Sequence, residues 1–187
     1  KVAVSKLIPP NNDQVILATT SIGLQRSVNG GAWVQVKPGR SYGVVFDPTN
    51  GSNAVAAVVE GSNSRVYWSS NAGETWGQAT LDIRGEVVDF SVPGSAPRVE
   101  FAYHQANPDI VYALYPSLSN PARAYVARSD DGGHSFVRQT TAIPTGEEPI
   151  NPTTYATAFW VSPTHPNRVV AGGYNGNIFR SANGGGT

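Results

Sequence analysis

One short phrase returns four times along the chain, as Ser27-Val-Asn29-Gly-Gly31-Ala-Trp33, Ser69-Ser-Asn71-Ala-Gly73-Glu-Thr-Trp76, Ser129-Asp-Asp131-Gly-Gly133-His-Ser-Phe136 and Ser181-Ala-Asn183-Gly-Gly185-Gly-Thr187. An internal repeat constrains architecture more than any single residue, because every copy must solve the same packing problem against its neighbours. In each copy Ser and, two residues on, Asn or Asp supply side-chain oxygens for nearby backbone N–H groups, and the following glycine suits a positive-φ position. The phrase predicts a rigid hairpin turn. Its terminal aromatic opens the next strand and is expected to fold under the turn and bury itself.

A second element lies upstream of each phrase, at residues 7–18 around Pro9, 45–57 around Pro48, 106–113 around Pro108 and 161–171 around Pro163 and Pro166. An apolar run ends in a Pro/Asn turn, and a run of β-branched and small residues follows, which is another hairpin. Each repeat thus has four short strands, here A to D. Repeated four-stranded antiparallel sheets are the signature of a β-propeller. The phrase serines stand 42, 60 and 52 residues apart, against a blade period of roughly 40 to 50, so the long interval must hold insertions, expected at 84–98 and 116–123. The expected fold is all-β, a propeller of about four blades at 1–36, 37–79, 80–138 and 139–187, the last incomplete because the phrase at Thr187 is not followed by a strand D. The high count of turn formers, 20 Gly and 14 Pro, agrees. No run of about 12 residues has helical apolar spacing.

The phrases resemble the Asp-box, or bacterial neuraminidase repeat, of pattern S-x-D-x-G-x-x-W. Box three fits with Asp131 but has Phe136 in place of Trp; box two has Asn71; box one has Asn29 and is one residue short before Trp33; box four stops before its aromatic. The resemblance implies structural roles for Ser27, Asn29, Gly31, Trp33, Ser69, Asn71, Gly73, Trp76, Ser129, Asp131, Gly133, Phe136, Ser181, Asn183 and Gly185. In propellers similar to this one the boxes lie in C–D turns on one face, and ligands bind on the other through B–C and D–A loops. Those loops would be residues 20–23, 37–42, 60–65, 81–89 with the insertion, 115–123, 145–155 and 174–177. They present Arg40, Tyr42, Arg65, Arg84, Tyr115, Arg123, Tyr155 and Tyr174 as ligand-side candidates.

Hydrolysis of a glycosidic bond would need two carboxyls roughly 5 to 10 Å apart. Glu60, ending the apolar run 54–59, and Asp89, beside Val87, Val88 and Phe90, are the carboxyls whose neighbours favour a raised pKa; pairing with Arg65 or Arg84 is the competing reading. His104, near the end of a strand A, His134, inside the third phrase, and His165, in an A–B turn, do not form a metal-binding spacing. With no cysteine, neither a disulfide framework nor thiol chemistry is available. Neither metal nor cofactor is expected.

Two enzyme families share the boxes. Sialidases have an Arg-Ile-Pro-like motif near the start of the domain, and no Arg-x-Pro occurs here. Xyloglucanase-type hydrolases carry catalytic aspartates after strand B, where this chain has Ala18-Thr-Thr-Ser21 and Ala171-Gly-Gly-Tyr174. The departures favour the non-catalytic relatives, which include sortilin-type receptors, photosystem assembly factors and lectins.

The charge balance, 13 basic and 13 acidic residues, argues against a nucleic-acid partner, which would call for clustered Lys and Arg. No stretch approaches the roughly 18 apolar residues of a membrane span, and no signal-peptide pattern occurs. Taken together, these features lead us to expect an extracellular or periplasmic propeller segment that binds glycan or protein. A glycoside hydrolase is the alternative. Remaining blades are expected from the same chain, another chain or a second copy.

Overall fold

The computed structural model describes residues 1–83, 85–93, 98–116, 124–139, 158–172 and 178–186, and every regular element among them is a β-strand. In the first blade, β1 (Val2–Val4), β2 (Val15–Thr19), β3 (Gly23–Val28) and β4 (Val34–Pro38) pair antiparallel in chain order. The second blade opens the same way with β5 (Ser41–Phe46), β6 (Ala54–Glu60) and β7 (Asn63–Ser69). Its outer strand, however, comes in two pieces.

The first piece, β8 (Gly77–Gln78), pairs with Tyr67 and Trp68. The chain then departs as a hairpin, β9 (Thr80–Ile83) and β10 (Glu86–Asp89), and returns as β11 (Ser91–Pro93) to pair with Asn63, Ser64 and Arg65 on the same edge of β7. The departing hairpin belongs to the third blade, formed by β12 (Glu100–Tyr103), β13 (Val111–Pro116), β14 (Ala124–Ser129) and β15 (Ser135–Arg138). There β9 runs parallel to β15, with Leu81 opposite Phe136, giving a sheet of six strands. The fourth blade contains β16 (Ala158–Val161), β17 (Val169–Gly172) and β18 (Ile178–Ser181).

In place of a single crossing at residue 79, the chain therefore passes between the two sheets three times, and the extra segment begins at Thr80 rather than at 84. The cause is apolar burial. Ala79, Leu81, Phe90 and Val92 all join the core between blades two and three, and the Phe90 ring meets those of Tyr115 and Phe136 edge-on at 5.1 and 5.2 Å.

Three cores fill the spaces between adjacent blades. Leu17, Leu24, Val44, Ala54 and Ala56 lie between the first two; Val55, Val66, Val111 and Phe136 between the second and third; Tyr112, Leu114, Val126 and Val169 between the third and fourth. Side chains alternate across a strand, so β6 sends Ala54 and Ala56 to one core and Val55 and Ala57 to the next. In β13, Val111 and Ala113 face backward while Tyr112 and Leu114 face forward. The leading strands β1, β5, β12 and β16 contact one another in succession. These sheets are the blades of a partial β-propeller, with the leading strands innermost.

Candidate functional site

Antiparallel order sends the four Ser-led turns, each after the third strand of its blade, to one end of the sheets. In the second, third and fourth turns the geometry repeats. Ser69 Oγ donates to Asn71 Oδ1 at 2.9 Å and accepts from Gly73 N at 2.9 Å; Ser129 does the same with Asp131 and Gly133 at 2.7 and 2.8 Å, and Ser181 with Asn183 and Gly185 at 2.7 and 2.9 Å. Asp131 also accepts from His134 N, Ser135 N and Ser135 Oγ. Burial alone would raise the Asp131 carboxyl, but the Ser135 and Ser129 hydrogen bonds and the nearby His134 outweigh it and hold the pKa below its ordinary value. Phe136 is fully buried, and Trp76 packs on the first core while its Nε1 donates to Gly73 O at 3.0 Å.

The first turn differs. Lacking one residue, it places its positive-φ pair at Asn29 and Gly30 instead of one position later, as at Gly132 and Gly133. Ser27 Oγ therefore donates to Gly31 O, and Asn29 turns to Asp13 and Gln14 within its own blade. Trp33, expected beneath the turn, is 52% exposed. The fifth-position glycine, Gly31, is present but is not one of the positive-φ residues, and it meets Ser27 through its carbonyl instead of its N–H.

Each Ser-led turn from the second onward leans on the blade before it. Arg26 Nε donates to Ala72 O at 2.9 Å, the Trp68 and His134 rings meet at a tilt with centroids 4.0 Å apart, and Gly185 stands directly against Val126, while Arg128 donates at 2.6 Å to Asn167 Oδ1 in the neighbouring Pro/Asn turn. These contacts tie each of the three turns to the blade before it.

At the opposite end, the loops after β2, β4 and β6 come together. Glu60 meets Lys37 Nζ at 3.1 Å and Arg65 Nε at 3.3 Å, while Arg65 Nη1 reaches Asp89 at 3.5 Å. One guanidinium thus joins the two carboxyls that the sequence singles out. The expected raised pKa is not found at Glu60: burial acts upward, but hydrogen bonds from Tyr67 and Lys37 and the charges of Lys37 and Arg65 bring it below the ordinary value. A carboxyl held ionised by two cations is poorly placed to act as a general acid. Tyr115, expected on the ligand side, is 2% exposed and belongs to the core between blades two and three; strand alternation turns it inward. Arg84, Arg123, Tyr155 and Tyr174 lie outside the described residues.

Beside this ion-paired cluster is a recess of about 310 Å³ between the first two blades, lined by Thr19, Thr20, Arg40, Ser41, Tyr42 and Arg98 together with Lys1 and Ser21. Its floor is braced by Ser41 N donating to Thr20 O at 3.0 Å and Thr20 N donating to Ser41 Oγ at 3.1 Å. Arg40 Nη1 lies 3.4 Å from the Tyr42 hydroxyl, and the Arg98 guanidinium lies 5.9 Å from the Tyr42 ring centre. Arg98 is absent from the sequence-based set, although it precedes a leading strand much as Arg40 does. That shared position is the signal that could have found it. The histidines do not converge: His104 accepts from Asn107 N, and His165 contacts Thr164. Among the described residues, no group of three or more His, Cys, Asp and Glu is arranged to hold a metal.

No family model matches the chain, and no curated protein matches it. Among solved structures it is similar to an ancestral GH74 enzyme, with 21% identity and a TM-score of 0.59 over 96% of this chain and 25% of that one. It is similar to BP39L lectin from Burkholderia pseudomallei, with 17% identity and a TM-score of 0.59 over 100% and 53% of the two chains. YCF48 bound to D1 peptide matches with 16% identity and a TM-score of 0.51 over 97% and 50%. The chain spans between a quarter and about half of these structures. The likeness shows the β-propeller fold.

Proposed function

We propose that this chain is an Asp-box propeller segment that works outside the cytoplasm as a binding surface for glycans or protein partners, with no hydrolytic role for its described carboxyls. The observation that carries the reading is the sharing of Arg65 by Glu60 and Asp89, with Lys37 also on Glu60. A bond-cleaving pair needs one carboxyl that holds its proton near neutrality, and Glu60 is shifted the other way. The hydrogen bonding of the second to fourth turns supports the Asp-box assignment. The test is a glycan array run with hydrolysis assays on plant and host polysaccharides. Retention without turnover is expected; turnover abolished by E60Q or D89N would replace this reading with the glycoside hydrolase.

The ring, on this reading, is completed by further blades of the same repeat. Arg26 and Trp68, each just before a turn serine, reach the turn of the following blade. Arg180 holds the same position on blade four and is exposed, as are Trp160 and Ile178 on that blade and Val2 and Val34 on the first. A mass measurement in solution separates a second copy from blades supplied otherwise.

A further inference from the structure

We infer that the open face of blade four is covered by blade one of a second copy of this chain, so that two copies pair head to tail. This deepens the ring-closure reading and rests on it. Every blade has a front that faces the next blade and a back that faces the one before. Across the front of blade three, Ala102, Tyr112 and Arg128 stand in one row, and across the front of blade four Trp160, Val170 and Arg180 do. Three residues before each turn serine, Leu24, Val66 and Val126 are fully buried in the cores they share with the next blade. Ile178, at the same place in blade four, is 68% exposed. On the backs, Val44 lies opposite Ala56, Phe101 opposite Ala113 and Phe159 opposite Ala171, each pair against a core. Blade one repeats the pair as Val2 opposite Ala18, and there Val2 is exposed. One front and one back of the same interface are thus left uncovered.

The two faces complement each other in volume. Where a front residue is small the facing back is large: Ala3 shares its core with Phe46, and Ala102 with Phe159. The open pair reverses this, with Trp160 on the front and Val2 and Val4 on the back, and close packing is met by the sum of the two. A polar contact is matched as well. Arg128 donates to Asn167 Oδ1 of blade four at 2.6 Å, and the Asn167 carbonyl accepts from Gly184 N in the Ser-led turn of its own blade. Gln14 is its counterpart in blade one, with its carbonyl accepting from Asn29 N and its side chain exposed. Arg180, the counterpart of Arg128, is therefore matched by Gln14 Oε1 of the second copy. A recess of about 530 Å³ beside Trp160, Val170 and Arg180 receives that turn, as the front of blade three receives the turn of Pro166 and Asn167. Made twice about a twofold axis, the contact joins two sets of four blades into one ring, within the roughly four to eight blades of propellers.

Sedimentation velocity on the 187-residue chain across a concentration series should show twice the mass of one chain. V2D and I178D change exposed positions on the back and the front, and each should weaken association at least tenfold; circular dichroism checks that both variants fold. An equimolar mixture of the two variants should regain dimer, because one of its contacts joins an unaltered front to an unaltered back. A single-chain mass at every concentration overturns the inference and leaves ring closure to blades of other origin. A dimer that survives both V2D and I178D overturns it together with the ring-closure reading, since neither face is then an interface. A mixture that stays monomeric overturns the head-to-tail order.

Discussion

Gly133 of the third turn lies directly against Val55 of the preceding blade: a Cβ placed on Gly133 would stand 2.4 Å from Val55 Cγ1. Gly73 against Leu17 and Gly185 against Val126 repeat the relationship, at 2.7 Å each. The turn glycines thus have two jobs. They satisfy a positive φ, +100° at Gly133, and they set how closely one blade can approach the next. G133A is expected to cost about 2 to 4 kcal/mol, from backbone strain plus overpacking. Adding V55A should recover part of that loss, and a double-mutant cycle by urea denaturation measures the coupling. G61A, at φ +60° with open space around it, should cost only the strain, about 1 to 2 kcal/mol.

The two box tryptophans should behave oppositely. W33A is expected to change stability by less than about 0.5 kcal/mol, as for an exposed side chain outside the cores. W76A loses core contact and a hydrogen bond, and should cost about 2 to 4 kcal/mol. Acrylamide quenching of single-tryptophan variants gives an independent check, with Trp33 the more accessible.

Acid should loosen the third turn through one group. The Asp131 pKa is lowered in the folded chain, so the unfolded state takes up the proton first. Its stabilising contribution is complete above about pH 5 and is lost as pH falls through about 4 and below. D131N keeps an acceptor, as Asn71 and Asn183 do naturally, and should flatten the stability profile between about pH 5 and 3. Chemical denaturation across that range shows the difference.

R65Q should release Glu60 and Asp89 from their common partner. The Glu60 carboxyl, followed by NMR titration, is expected to rise toward its ordinary value, while Lys37 limits the rise. Stability should change by no more than about 1 kcal/mol, since the pairs are partly exposed. An unchanged Glu60 titration would mean that Arg65 does not control it.

Truncating Phe90 tests whether the extra hairpin is part of the fold. The side chain is fully buried between Tyr115 and Phe136, so F90A should cost about 3 to 5 kcal/mol. A surface insertion would tolerate the change within about 0.5 kcal/mol.

Local chemistry made much of this molecule readable in advance. Ser129, Asp131 and Gly133 act on residues within one turn, so their roles follow from spacing, and the alternation in β6 and β13 follows from strand geometry. Trp33 was misleading because one missing residue moves the positive-φ pair, a conformational effect that residue types alone do not display. Tyr115 and Glu60 depended on partners distant in sequence, Phe90 for the first and Lys37 for the second, whereas Arg65, five residues from Glu60, was legible as its partner. The recess needed Arg40 and Arg98 brought together by two blades, and no local pattern records that approach.

The parallel pairing of β9 with β15, followed by the return of β11 to β7, stitches the second and third blades together. The chain passes from one sheet to the other and back before the third blade has begun its own four strands. No cut between residues 79 and 99 separates two whole sheets. For folding, these blades form a single cooperative unit whose completion waits on the chain through Arg138. For evolution by duplication or loss, the unit that can be copied or deleted here is the pair, although the spacing of the turns advertises one blade at a time.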